Sequence, residues 1–118
     1  YDAEGKIMGC GVSASSVCQW GDVWQNESDQ TLYMSKLPVD LDGNQYYYLA
    51  DAQGKSFSLF AYLENTKDAD VVKNASGEAA YYSGTACRII DGTLTPNTCN
   101  YVVMSSNLIT TPAVVDSY

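Results

Sequence analysis

The chain has 118 residues, 46% of them apolar, which is enough for one domain (1–118) that buries roughly 65% of its unfolded surface and too much for a disordered tail. Six scattered basic residues (Lys6, Lys36, Lys55, Lys67, Lys73 and Arg88) against 14 acidic ones give a net charge of −8, which argues against direct binding to nucleic acid. There is no histidine, so the commonest general base, triad member and transition-metal ligand are all absent.

Residues 1–26 are rich in Gly and Ser and read as loop, with Trp20 and Trp24 capping a core from it. Ser28 or Asp29 is placed to N-cap a short helix reaching Leu37. Tyr33 and Leu37 would share one face, Lys36 would lie in the last turn, and Pro38 would force the end. A strand is expected at Tyr46–Tyr48, then a hairpin loop over Ala50–Lys55 with Gly54, then a strand from Phe57 to Glu64. The second strand alternates. Phe57, Leu59, Ala61 and Leu63 form the expected inner face, and Ser56, Ser58, Phe60, Tyr62 and Glu64 the outer one. Residues 65–77 read as loop. Strands follow at Ala79–Tyr82, Ala86–Ile90 and Asn100–Met104, the last two joined through turns at Asp91-Gly92 and Thr95-Pro96-Asn97. The tail around Pro112, Val114 and Val115 is expected to add an edge strand or pack on the core.

The cysteines fall in two close pairs, Cys10/Cys18 and Cys87/Cys99, with neither at the Cys-x-x-Cys spacing of zinc or redox centres. In a small acidic domain they read as structural disulfides, and hence as a sign of an oxidising compartment. Four cysteines allow three connectivities. Short loops close easily, so the sequential pairing is expected, at roughly 2.5–3 kcal/mol per loop. No run of 18 apolar residues exists to span a membrane.

The order Leu37-Pro38-Val39-Asp40-Leu41-Asp42-Gly43-Asn44, then Tyr46-Tyr47-Tyr48, then the polar turn Asp51–Lys55 and Phe57-Ser58-Leu59 ending near Leu63-Glu64 resembles the globular head of type IV pilins and type II secretion pseudopilins. The resemblance covers residues 32–64, about a third of the chain. It implies an α+β fold, with a small antiparallel sheet of about four strands, a short helix and long disulfide-stapled loops. It also implies a structural subunit of an extracellular filament or pseudopilus, serving adhesion, motility, DNA uptake or secretion. Its partners would be other copies or related pilins, and it would meet a membrane only through an N-terminal apolar helix not present here. Localisation would be the cell surface, or the periplasm for a pseudopilus. Cys87 and Cys99 would bound an exposed region holding Arg88 to Thr98. No catalytic residue is implied, and with net charge −8 the head alone should stay monomeric.

Asp40-x-Asp42-Gly43-Asn44 opens like a calcium loop but fails as an EF-hand, because position twelve is Asp51. Some pseudopilin heads bind calcium after the second strand. Glu64, Asn65, Asp68 and Asp70 there are suitable oxygen donors, although such runs are more often solvated turns, so no metal ligand or cofactor is assigned. Ten tyrosines and two tryptophans, Trp20 and Trp24 among them, carry an alternative function: a secreted carbohydrate-binding or adhesin module with an aromatic platform. Asn26-Glu27-Ser28 and Asn74-Ala75-Ser76 match the glycosylation sequon.

Overall fold

The computed structural model describes residues 5–13, 15–51, 53–107 and 113–118. Those residues form nine short strands and a single 3-10 turn at Leu41–Gly43. The strands are β1 (Trp24–Asn26), β2 (Thr31–Met34), β3 (Tyr47–Ala50), β4 (Phe57–Ala61), β5 (Tyr81–Tyr82), β6 (Ala86–Ile90), β7 (Thr93–Pro96), β8 (Tyr101–Met104) and β9 (Val114–Val115). They build one three-stranded antiparallel sheet, β3-β4-β8, and three two-stranded ribbons, β1-β2, β5-β9 and β6-β7. The molecule measures 51 × 34 × 21 Å, and its short dimension leaves room for about two layers at the ~10 Å spacing of packed sheets.

The expected α+β class is therefore wrong: the fold is nearly all strand. The helix expected from Ser28 or Asp29 to Leu37 is instead the turn and outer strand of the β1-β2 ribbon. Asp29 does not cap a helix. Its carboxylate accepts from the Thr31 N–H at 2.9 Å, and Gln30 takes a positive φ of 61°, so the chain reverses there. Thr31-Leu32-Tyr33 then offers strand-favouring side chains, and Tyr33 reaches across to Trp24. Leu37 is buried by a different route: its N–H donates to the Asp22 carbonyl and its carbonyl accepts from Gly21.

The β3-β4 hairpin lies where expected, and its loop is organised by Asp51. The Asp51 carboxylate accepts from the Lys55 N–H at 2.7 Å and from the Ser56 hydroxyl at 3.1 Å. The Lys55 bond is the main reason its pKa falls below the ordinary 3.8, against a smaller opposing effect of burial. A carboxyl with a depressed folded-state pKa contributes stability above its unfolded pKa and loses it as pH falls through the folded value. The thermal midpoint of wild type is therefore expected to exceed that of Asp51→Ala at neutral pH, with the gap closing below about pH 4. A gap unchanged down to pH 2 would contradict this role.

The core gathers where one face of the sheet meets the second disulfide. Tyr47, Phe60, Cys87 and Cys99 form its centre, with Leu49, Tyr62, Tyr82, Ala86 and Val102 packed around them. The alternation of β4 was thus read with its faces exchanged. Ser58 and Phe60 are buried, whereas Phe57 is 40% exposed. Phe60 meets Tyr82 and Tyr47 edge-on, with ring centroids 5.4 and 6.1 Å away, and this aromatic cluster closes the core. Gly5 passes so close to Tyr47, at φ +75°, that a Cβ there would run into the ring. Its carbonyl accepts from the Tyr48 N–H along the outer edge of β3.

Cys87 and Cys99 are bonded to each other, as are Cys10 and Cys18. The strands expected at Ala86–Ile90 and Asn100–Met104 do not pair as a hairpin across the Cys87–Cys99 bridge. Asp91 and Gly92 both take positive φ (53° and 76°), a pairing suited to a two-residue hairpin turn, so they join β6 to an additional strand, β7. β8 pairs with β4 instead. The β6 irregularity at Cys87 is satisfied by Thr98, whose hydroxyl accepts from the N–H groups of Cys87 and Arg88 and donates to the Thr95 carbonyl. Buried Asn100 acts similarly on the chain after β4, accepting from the Leu63 N–H and donating to its carbonyl.

Candidate functional site

Paired residues in a sheet share a face, so the registers of β3-β4 and β4-β8 sort the central sheet into two sides. One carries Tyr47, Leu49, Ser58, Phe60, Val102 and Met104 and holds the core. The other carries Tyr48, Ala50, Phe57, Leu59, Ala61, Tyr101 and Val103. Each residue of this second face is apolar or aromatic, none is charged, and none is buried; Val103 is 45% exposed. Tyr48 and Phe57 sit diagonally across β3 and β4 with nearly parallel rings, 17° apart. This is the surface that the sequence pattern assigned to the interior. Two contributors, Tyr101 and Val103, were missed, although the unbroken apolar run Tyr101-Val102-Val103-Met104 is the signature of a strand apolar on both sides.

A second feature lies on the β1-β2 ribbon. Trp24 and Tyr33, with ring centroids 5.2 Å apart and planes tilted by 39°, line an open groove of about 240 Å³ together with Met8, Gly9, Ser13 and Asn26. Trp20 takes no part in it. Its ring meets Tyr46 edge-on at 5.5 Å, so the structure does not bring the two tryptophans onto one platform. Burial, with a smaller effect of Asp40, raises the pKa of Tyr46 and keeps its phenol neutral.

Four of the oxygen donors singled out in the sequence, two carboxylates and two amides, accept hydrogen bonds from the backbone. Asp40 accepts from the Leu41 N–H, and Asn44 from the Ile89 N–H. Asn65 accepts from the Lys67 N–H and Asp68 from the Asp70 N–H. Among the described residues no three Asp, Glu or Cys side chains gather as a metal shell. Of the sequon asparagines, Asn26 accepts from the Ser28 N–H, while Asn74 accepts from Ser76 and Glu78 and donates to Asp116.

The two disulfides indicate an oxidising environment, extracellular or periplasmic. No helix among the described residues is long and apolar enough to cross a membrane. No protein-family profile, no curated protein and no solved structure matches this chain.

Proposed function

We propose that the chain is a non-catalytic structural subunit of an extracellular or periplasmic filament, the role implied by the pattern from Leu37 to Glu64. The observation that supports this reading is the second face of the β3-β4-β8 sheet. A continuous apolar face spanning three strands is costly to leave in water and suits contact with another protein surface. Covering Phe57 and Val103 completely is worth about 1 kcal/mol each, since both are already more than half covered. The absence of charge on the face lets copies with net charge −8 meet there without desolvating an ion. The test is electron microscopy of the full gene product in its host. Phe57→Lys with Val103→Lys is expected to abolish filaments while leaving the disulfide-linked core folded. Normal filaments from a correctly folded double variant would refute the role of this face.

A second reading, a carbohydrate-binding module, draws on the Trp24–Tyr33 groove. The groove would admit one sugar ring, with aromatic faces for its C–H side and Asn26 and Ser13 for its hydroxyls. It leads to the expectation that Trp24→Ala and Tyr33→Ala each remove binding seen on a glycan array. If the wild-type chain binds no glycan, the groove is not a sugar site.

A further inference from the structure

Arg88 is the only arginine in a chain with 14 carboxylates, yet among the described residues its guanidinium has no carboxylate within 4 Å and donates no hydrogen bond. It lies against tyrosines instead. The guanidinium carbon is 4.4 Å from the ring centroid of Tyr62 and 5.8 Å from that of Tyr118. Tyr118 in turn meets Tyr81 edge-on, with centroids 5.6 Å apart. Four segments converge here: the end of β4, β5, β6 and the residues after β9. None of the three phenols makes a hydrogen bond within the described residues. Burial raises the pKa of Tyr81, as do Tyr62 and Tyr118 to a lesser extent, while Arg88 opposes them, so its hydroxyl is protonated at neutral pH.

A guanidinium stacked on an aromatic face keeps its in-plane N–H fork free, and that fork matches a carboxylate in two parallel hydrogen bonds. Charge neutralisation does not explain the arrangement, because an acidic protein offers many carboxylates and among the described residues this arginine takes none. The three phenols supply hydroxyls for those of a pyranose, and the exposed Tyr118 supplies a ring face for its C–H side. The net charge of −8 disfavours a polyanion, leaving room for a ligand with a single negative group. We propose that Arg88, Tyr62, Tyr81 and Tyr118 form a binding site for a singly carboxylated sugar, with Arg88 taking the carboxylate and the tyrosines holding the ring. The site uses neither the apolar sheet face nor the Trp24–Tyr33 groove, so it stands or falls apart from both readings above.

The test is a titration of the disulfide-intact protein with D-glucuronate, D-glucose and acetate, followed by NMR of the Arg88 Nε–H and the tyrosine rings. Glucuronate is expected to give saturable shifts confined to the four residues, with millimolar affinity, while glucose gives none. Acetate, lacking the ring, is expected to bind at least about tenfold more weakly. Arg88→Gln should abolish the shifts. Arg88→Lys should weaken binding about tenfold, because it keeps the charge and loses the fork. Tyr118→Ala, at an exposed position outside the core, should weaken binding with an unchanged thermal midpoint, which separates ligand contact from folding. The proposal is overturned if glucuronate gives no saturable shift, if binding persists in a folded Arg88→Gln variant, or if acetate or glucose binds as tightly as glucuronate.

Discussion

Phe60→Ala is expected to cost about 3–5 kcal/mol of stability, whereas Phe57→Ala, three residues earlier on the same strand, should cost about 1 kcal/mol. Phe60 is fully buried, meets Tyr47 and Tyr82 edge-on and packs against the Cys87–Cys99 bridge, so its removal leaves a cavity that rigid neighbours cannot fill. Phe57 lies on the open face, with Tyr48 stacked beside it. A domain of this size has a total stability of about 5–15 kcal/mol, so the first substitution should lower the thermal midpoint by roughly 10–20 °C and the second by only a few degrees. Thermal unfolding of the two variants decides the matter. Equal effects, or a larger effect at Phe57, would place the core on the wrong side of the sheet.

The second large effect is expected from the Cys87–Cys99 pair. Replacing both with Ala should cost about 3–5 kcal/mol: roughly 3 from releasing a loop of this length in the unfolded state, the rest from the contacts of two completely buried sulfurs. Among the described residues few apolar side chains are wholly buried, and two of them are these cysteines, so the bridge forms part of the core. The Cys10–Cys18 bridge closes a loop of similar size but lies in the segment before β1, and removing it opens that loop alone. Its removal should loosen that segment while the β3-β4-β8 sheet persists. Denaturant unfolding, with hydrogen exchange to locate the change, checks both variants. A C87A/C99A variant as stable as wild type would contradict the core described here.

Some of this architecture was readable from residues alone. Tyr-rich β3, the turn around Gly54, β4 and β6 stand near their expected positions, because strand propensity and local turn chemistry point the same way. The helix expected before Leu37 failed because Asp29 and Gln30 organise a turn, a local hydrogen-bond choice that apolar spacing at Tyr33 and Leu37 does not register. β7 was missed because the turn signals at Asp91-Gly92 and at Pro96 were merged into one reversal, leaving Thr93–Pro96 no identity of its own.

The exchanged faces of β4 teach something more specific. Four apolar residues at alternate positions seemed to outvote one Phe and one Tyr among serines. Both faces are in fact apolar, and only tertiary packing decides which meets the disulfide. Pattern shows that a face wants cover, but not what covers it. The same limit applies to the candidate site, whose seven residues come from three strands that become neighbours only through the β4-β8 pairing. Arg88 and its tyrosines are similarly dispersed along the chain, and no spacing rule links them.

Photocrosslinking from the open sheet face gives the most direct check on the filament role. With p-benzoylphenylalanine in place of Val103 in the full gene product, irradiation of assembled material from the host should join copies of the chain. Mass spectrometry should place the crosslink in a neighbouring subunit. Crosslinks found only within one chain would show that this face does not pack between subunits.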